Sequence, residues 1–420
     1  MKRKTDVALS ECLVCDIGSS SIKAGHATDE LPRVVMPTLV GRPVVNDRSR
    51  HFEADENMLD EYIVLRPRAR GDDRKPSLFA SRDIVVGQEA REKHSQLDLS
   101  RPVDGGIVKN WDDLELILDR IFAPLRANTS DNILTPANKQ RRRKEVTGGA
   151  IVLSDLVDAP VSQREKFCEL FFERFSFDRI NLSPAAALTL TARGTSTGLV
   201  VDCGGSKTEV VPVFSGFVQK NGVKRTSLGG NAVLKRFFDL LKRSDSCNYK
   251  LDADRDSFRL QSIMEQICFV APSVDEERFV AETTNVLARS FELPDKTKIV
   301  VNSERFLAPE VLFAPDNGID ALVKEAIAAC PIDVKPAMMK AITISGGCSL
   351  MKGFSSKLRS SVGGWVDEVP DRQFLPFLGG CAMAATNDPE SEWWICKSEF
   401  EETGAAGVIK RLLGPKSYRI

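Results

Sequence analysis

Two stretches of the chain share one alternation of apolar and polar positions. Residues 199–213, LVVDCGGSKTEVVPV, have an apolar run, a Gly-rich polar turn and a second apolar run, which predicts a β-hairpin with a carboxylate at its turn. Residues 13–27, LVCDIGSSSIKAGHA, repeat this form, with Asp16 where the other copy has Asp202. The shared pattern, D-x-G-[SG]-S, is an internal repeat. It predicts two similar halves whose sheet edges face one cleft.

A helical periodicity lies between these strands. Residues 111–125 place apolar side chains at every third or fourth position after Asn110, a candidate N-cap. Residues 162–175 and 257–271 have the same spacing and predict two further helices. Mostly apolar runs at 149–153 and 341–344 instead predict buried central strands. The elements together predict a mixed α/β fold.

Length and composition restrict the class of protein. The 420 residues exceed a single compact core and indicate two domains. Contents of 42% hydrophobic and 28% charged residues are typical of a soluble globular protein. The net charge of −1 favours neither nucleic acid nor an anionic membrane as partner. No apolar run reaches the ~20 residues that span a bilayer, and the first residues lack the pattern of a secretory signal.

Cysteine and histidine usage argues against most metal chemistry. The ten cysteines are scattered, several within apolar runs, which predicts reduced cytosolic or nuclear thiols in the core. Cys12 and Cys15 have C-x-x-C spacing, but no second pair completes the four ligands of a structural zinc site. The three histidines, His26, His51 and His94, all lie in the first quarter, which disfavours a His-based nucleophile elsewhere.

Two charged segments predict exposed, mobile loops. Residues 45–82 are rich in Arg, Asp and Pro, and residues 126–144 contain most of the basic run NKQRRRKE. Such a run is ordinarily a solvated loop, and a nuclear localisation signal is the alternative.

The first hairpin turn has the chemistry of a phosphate site. Gly18 and the three serines after it allow successive backbone N–H groups to form an anion nest. Lys23 is predicted to lie against the β- or γ-phosphate of a nucleotide. Asp16 and Asp202, one per hairpin, suit Mg²⁺, bound through its waters. For either hairpin alone, an ordinary surface turn is the alternative.

A third Gly-rich turn follows the predicted strand at 341–344. Gly346 and Gly347 at the strand end allow a flat ligand such as adenine or ribose to approach the backbone. A Gly-Gly pair by itself also fits a plain turn.

The order of these motifs resembles the actin family over nearly the whole chain. The stretches that carry the resemblance are LPRVVMPTLVGRP, RPVDGGIVKNWDDLE, QREKFCELFFERF, ARGTSTGLVVDCGGSKTEVVPVFSGF, SFELPDKTKIVVNSERFLAPEVLFAP, ITISGGCSLMKGF, FLGGCAMAA and EWWICKSEFEETG. The family has an actin-like ATPase fold of duplicated ribonuclease H-like domains, with two lobes around a deep ATP–Mg²⁺ cleft. The resemblance implies phosphate contacts at Ser19, Ser20, Ser21, Lys23, Gly204, Gly205 and Ser206. It places the purine and ribose near Gly230, Glu265, Gly346, Gly347 and Leu350.

The resemblance also implies a division of the chain. The first lobe is expected at residues 1–193 plus 375–420, with an enlarged charged insert at 44–85 in the region that contacts the next subunit in filaments. The second lobe is expected at 194–374, with 229–317 as its outer subdomain.

The chain departs from the family where hydrolysis is catalysed. Actins orient the attacking water with a Gln before the second hairpin and a His after its turn. Here Ala185 and Glu209 stand at these positions, and no Gln lies from 181 to 202. Glu209 could act as a substitute base, but its carboxylate would also repel a γ-phosphate. Loss of the water-orienting groups costs roughly 10²–10⁴ in rate, so we expect very slow hydrolysis and assign no catalytic residue.

Other departures affect nucleotide and filament contacts. Gly205 replaces an Asp of the family, and Met264 and Gln373 replace two nucleotide-contacting lysines, so we expect ATP binding that is weak or lost. The link within 313–319 and the segment 353–370 are shorter than in filament-forming members. Self-polymerisation into ordinary filaments is therefore not expected.

These features predict an actin-related cytoskeletal protein of the cytoplasm. Several stretches, such as ETTNVLARSFELPD, favour a subunit of the complex that nucleates branched filaments. The expected partners are other subunits of such a complex and actin, without membrane or direct nucleic-acid contact. The alternatives are a nuclear actin-related protein of a chromatin-remodelling complex and a divergent conventional actin. A sugar kinase of the same superfamily is disfavoured by the actin-specific segments.

Overall fold

The strands include both predicted hairpins. The structure, a computed structural model, describes residues 11–43, 84–127, 148–244, 253–292, 298–315, 317–386 and 391–412. The predicted loop at 45–82 and the basic run lie outside the described residues. Of the loop predicted at 126–144 only Arg126 and Ala127 are described, and they belong to a helix, so the prediction is wrong for these two residues. The strands of the described residues are β1 (Cys12–Ile17), β2 (Ser21–His26), β3 (Val34–Pro37), β4 (Val40–Pro43), β5 (Val85–Val86), β6 (Leu97–Ser100), β7 (Val103–Asp104), β8 (Ile107–Val108), β9 (Ala150–Asp155), β10 (Arg179–Pro184), β11 (Gly198–Cys203), β12 (Thr208–Phe214), β13 (Phe217–Val218), β14 (Lys224–Thr226), β15 (Arg289–Glu292), β16 (Lys298–Val301), β17 (Ile342–Ser345), β18 (Val366–Asp367) and β19 (Ile395–Cys396).

Helices separate most of these strands. The α-helices are α1 (Gln88–Glu92), α2 (Trp111–Ala127), α3 (Val161–Glu169), α4 (Ala185–Ala192), α5 (Gly230–Arg243), α6 (Ala253–Ile267), α7 (Val274–Thr283), α8 (Glu304–Leu307), α9 (Ile319–Ala329), α10 (Lys335–Lys340), α11 (Phe354–Val362), α12 (Leu375–Thr386) and α13 (Lys397–Leu412). Short 3₁₀ turns lie at His94–Gln96, Lys220–Gly222, Pro309–Phe313, Gly347–Leu350 and Arg372–Phe374. None of the described helices combines the length and the apolar character needed to cross a membrane.

Two mixed sheets repeat one arrangement, as the duplicated motif predicts. The first sheet has the order β19-β10-β9-β1-β2-β3, and the second has β13-β12-β11-β17-β18 with β14 beside β12. In each sheet an antiparallel hairpin lies beside a parallel strand: β1 pairs with β2 and β9, and β11 pairs with β12 and β17. We call the parts of the chain built on these sheets the first and second halves. The predicted domain boundaries stay predictions.

Each half has its own apolar core. In the first half, β1 and β9 pack against α2 and the segment 167–177, where Phe122 lies edge-on to Phe171 and Phe175. In the second half, β11 and β17 pack against α5, α6 and α9. Separate cores allow the two halves to hold a shared cleft between them.

The halves are joined by two helices that lie side by side. α4 follows β10 of the first sheet and leads into β11 of the second, and α12 packs on α4 and on β1. A β-carbon at Gly379 of α12 would lie 1.7 Å from the carbonyl oxygen of Leu188 in α4. The absence of a side chain at Gly379 therefore allows the two helix backbones to touch.

Two predicted helices differ from the structure at their carboxyl ends. The helix predicted at 162–175 continues beyond α3 as a π-helical turn, Leu170–Arg174. The helix predicted at 257–271 instead spans Ala253–Ile267, because the N–H groups of Phe269 and Val270 donate to carbonyls of Arg305 and Lys352. The predicted cap of α2 is confirmed, since the N–H of Asp113 donates to Asn110 Oδ1 at 3.2 Å.

The cysteines behave as core residues, as predicted. Seven of the nine that the structure describes are buried. Cys12 and Cys15 lie on β1 and contact different clusters on the two faces of the sheet, so they do not form a metal-binding pair. Burial, and to a lesser extent Cys381, raise the pKa of the Cys12 thiol to about 12. Burial also raises the pKa of the Cys15 thiol, so both thiols are protonated packing groups.

Candidate nucleotide site

One cavity of about 800 Å³ lies between the hairpin turns of the two sheets. All fifteen site residues predicted from the sequence line it: Asp16, Gly18, Ser19, Ser20, Ser21, Lys23, Asp202, Gly204, Gly205, Ser206, Gly230, Glu265, Gly346, Gly347 and Leu350. The volume is within the range of small-ligand sites. The fold therefore brings three distant parts of the sequence to one concave surface.

The first hairpin places its two charged side chains opposite each other. Asp16 and Lys23 are register partners on β1 and β2, and Lys23 Nζ lies 3.0 Å from Asp16 Oδ2. Ser154 Oγ, on β9, donates to Asp16 Oδ1 at 2.6 Å. Lys23 thus pairs with the carboxylate of its own hairpin in this structure, and its predicted phosphate contact stays a prediction.

Asp202 is the corresponding carboxylate of the second hairpin. Burial raises its pKa from 3.8 to about 6; Lys207 opposes this shift and the nearby Asp16 adds to it. The charged form is thus destabilised by its surroundings, and a cation would relieve that cost. The two carboxylates face one cavity, and no cluster of three metal-binding side chains occurs among the described residues. This donor set fits Mg²⁺ that keeps most of its waters and is held partly by phosphates.

The two hairpin turns touch each other. A β-carbon at Gly205 would lie 1.9 Å from Ser20 Oγ, so a residue with a side chain at 205 would displace Ser20. The carbonyl oxygens of Gly204 and Gly205 accept hydrogen bonds from the backbone N–H groups of Gly230 and Asn231, at 3.0 and 2.7 Å. The second turn is therefore fixed both to the first hairpin and to the start of α5.

The serines at the two turns also hold a third loop. Ser206 Oγ accepts from the N–H of Gly105 at 2.9 Å, and Ser19 Oγ accepts from the N–H of Gly106 at 3.3 Å. Gln163 fixes the same loop, since its Oε1 accepts from Val108 N–H at 2.9 Å and its Nε2 donates to Gly106 O at 3.1 Å. The hydroxyl hydrogens of both serines remain able to donate to a ligand.

Glu209 is neutralised by two cations. Lys207 Nζ lies 2.9 Å from its Oε2, and Arg225 lies 2.6 Å from its Oε1. Burial alone would raise the pKa of Glu209, but Lys207 and Arg225 outweigh it and the pKa is lowered. Arg225 also reaches Asp158 of the first half at 3.3 Å. Arg225 therefore links Glu209 to the first half. Both carboxylate oxygens of Glu209 are engaged, so it is poorly placed to accept a proton from water.

The other departures from the family also line this cavity. Ala185 is the first residue of α4. Met264 lies on α6, and Gln373 lies in the 3₁₀ turn at Arg372–Phe374. None of these three side chains is charged, and Gln373 alone among them has side-chain nitrogen and oxygen atoms that can form hydrogen bonds.

Several lining residues were missed by sequence reasoning. Ser154, Gln163, Arg91, Arg101 and Phe258 all face the cavity. Ser154 directly follows the strand predicted at 149–153, and the others lie on segments without a phosphate-binding motif. Only their three-dimensional contacts single them out.

The fold and the cleft agree with the sequence comparisons, which define the class of protein. The sequence profile of the family described as Actin matches residues 8–413, and the chain belongs to this family. The similar proteins include actin-related protein 2 of Saccharomyces cerevisiae, 29% identical over 96% of this chain and 98% of that protein. Actin-related protein 2 of Drosophila melanogaster is 28% identical over 95% of this chain and 97% of its own length. Actin-related protein 2 of Arabidopsis thaliana is 29% identical over 93% of this chain and 96% of its own length.

Proposed function

We propose that this chain is an actin-related subunit of a complex that nucleates branched actin filaments. The observation that carries the proposal is the match of the chain, over nearly its full length, to actin-related protein 2 of several organisms. The proposed partners are the other subunits of such a complex and actin itself, in the cytoplasm. A subunit of this kind has to present a stable surface to its partners, and fast nucleotide turnover is not required for that role.

We propose that the cavity holds ATP with Mg²⁺. The turns at Gly18 and Gly204 would surround the phosphates, and Asp16 and Asp202 would hold the ion through its waters. The third Gly-rich turn, at Gly346, would lie against the base and ribose. The cavity volume and the convergence of all these residues support the assignment.

The residues of this cavity favour the proposal that hydrolysis of ATP is very slow. Ala185 has no group that orients water, and Glu209 is already bound to Lys207 and Arg225. ATP would then act as a ligand that stabilises the folded protein. The gain in the free energy of unfolding grows with the ratio of the ATP concentration to its Kd.

Purification of the tagged full-length chain from its own cells tests the main proposal. We expect a stoichiometric complex that accelerates assembly of purified actin and produces branches under microscopy. The chain alone should stay in the supernatant when actin is pelleted as filaments. Recovery with chromatin-remodelling subunits, or pelleting of the chain alone as filaments, would contradict the proposal.

Single-turnover measurement with γ-labelled ATP tests the site. We expect Mg²⁺-dependent binding with release of phosphate far slower than that of actin measured in parallel. Phosphate release as fast as that of actin would contradict the slow-hydrolysis proposal, and absence of binding at millimolar ATP would contradict the cofactor proposal.

A further inference from the structure

Phe258 of the second half is buried in an apolar site of the first half. It lies on α6 and is 9% exposed. Its buried neighbours are Leu39, the residue before β4, and Ala90 of α1. Val85 and Leu99, of the small sheet β5-β4-β6, pack against this cluster. An aromatic side chain of one half therefore completes a core that belongs to the other.

Three polar side chains of the first half surround the Phe258 ring. The His94 ring lies edge-on to it, with centroids 5.3 Å apart and an angle of 65° between the planes. The guanidinium carbons of Arg91 and Arg101 lie 5.8 and 5.4 Å from the ring centroid. Both distances are within the range of a cation–π contact with the ring.

This contact forms part of the wall of the candidate nucleotide cavity. Leu39, Arg91, Arg101 and Phe258 all line it. Phe258 is seven residues before Glu265, so both side chains lie on the same face of α6. The helix α6, which faces the predicted purine site, therefore also carries Phe258 and its contact with the first half.

We propose that Phe258 is a latch, a contact that holds the two halves together at this wall of the cavity. Separation of the halves at this point would expose the Phe258 ring and the apolar site around Leu39 to water, and would remove the ring from both guanidiniums. The closed state is thus stabilised by protein contacts that do not need a ligand. The further consequence, control of the rate at which nucleotide leaves, rests on the proposed ATP binding.

Hydrogen–deuterium exchange of the ligand-free chain tests the latch itself. Phe258→Ala is expected to speed exchange of the amides in 85–100 and in the first turns of α6 on the order of tenfold or more, with β11 and β12 unchanged. Phe279→Ala is the matched control, because Phe279 lies on α7 of the same half and is 67% exposed. Unchanged exchange at 85–100, or a uniform rise across the chain, would overturn the latch.

Release of a fluorescent ATP analogue in the presence of Mg²⁺ tests the kinetic consequence. The dissociation rate should rise roughly ten- to a hundredfold in Phe258→Ala, less in Phe258→Leu, and not in Phe279→Ala. An unchanged rate in Phe258→Ala would overturn control of release. If the analogue binds neither wild type nor variants, the ATP proposal fails, while the exchange experiment still decides whether the latch exists.

Discussion

Ser20 and Gly205 meet at the base of the cleft, where a β-carbon on residue 205 would lie 1.9 Å from Ser20 Oγ. The two hairpin turns, almost two hundred residues apart in sequence, are therefore in direct contact. Ser20 Oγ can rotate away, but its own β-carbon would remain only 3.1 Å from the new group. Any side chain at 205 thus forces the turns apart by a small amount.

We expect Gly205→Ala to lower the free energy of unfolding by about 1–3 kcal/mol, as overpacking in a fixed contact does. Gly204→Ala is the matched control, because its β-carbon would lie 3.5 Å from the nearest atom, the carbonyl oxygen of Lys207. Ser20→Gly should restore most of the loss in the double variant. Equal effects of the two alanines in urea unfolding would show that the contact with Ser20 is unimportant.

We expect the charged carboxylate of Asp202 to destabilise the folded protein when no cation is bound. The Tm of the Asp202→Asn variant, measured against pH, should show this. The folded state raises the pKa of Asp202 from 3.8 to about 6, so the folded state binds the proton more tightly than the unfolded state. The Asp202 carboxylate therefore lowers the free energy of unfolding most above pH 6. This destabilisation disappears as the pH falls from about 6 to 3.8. The ligand-free variant should have a higher Tm than wild type at pH 8, and nearly the same Tm at pH 4.

Asp16→Asn provides the contrast for this experiment. Asp16 pairs with Lys23 at 3.0 Å and accepts from Ser154, so its replacement removes the ion-pair partner of the Lys23 ammonium. We expect a lower Tm at pH 8 instead of a higher one. A higher Tm for both variants would show that the Asp16 carboxylate, like that of Asp202, destabilises the folded protein, and would contradict the stabilising role of its pair with Lys23.

Alkylation of cysteines offers a footprint of the proposed ligand. Cys348 and Cys396 are the two half-buried cysteines of the described residues, and Cys348 lines the cavity while Cys396 does not. ATP with Mg²⁺ should therefore slow the reaction of Cys348 with a maleimide and leave Cys396 unaffected. Peptide mass spectrometry measures both in one sample, and equal protection of both thiols would indicate a general change instead of occupancy of the cavity.

Restoring a water-orienting amide should raise the rate of hydrolysis. Ala185→Gln places an amide at the start of α4, where the cavity wall lies, and is expected to raise single-turnover phosphate release on the order of 10-fold or more. Ala192→Gln, at the other end of the same helix, should leave the rate unchanged. If Ala185→Gln binds ATP without faster release, the missing amide is not what limits hydrolysis.

The residues of the phosphate turns could be predicted from the sequence because their signals are local. An apolar run, Asp16 or Asp202, a glycine and serines lie within a few positions of one another, and the alternation of apolar side chains fixes the hairpins. The partners of these residues could not be predicted. Ser154 reaches Asp16 across 138 positions, and Arg225 connects Glu209 to the other half. Such contacts depend on how the sheets meet, which no local pattern encodes.

The same reasoning explains the errors at the helix ends. Periodicity continues through 268–271, so the sequence favours one helix to that point. The backbone N–H groups of Phe269 and Val270 instead bond to carbonyls of Arg305 and Lys352, and tertiary hydrogen bonds override the local preference. Val270 and Ala271 are buried although they lie outside the helix, so their hydrophobicity did not reveal where the helix ends.

The backbone contact between α4 and α12 determines how the molecule can move. The chain passes from one half to the other along α4 and returns beside it along α12, and Gly379 brings the two helices together at Leu188. Contacts this close resist sliding, since no side chains intervene that could change rotamer. The halves are thus free chiefly to swing about this helix pair as about a hinge axis. Motion is then smallest at the pair and grows with distance from it.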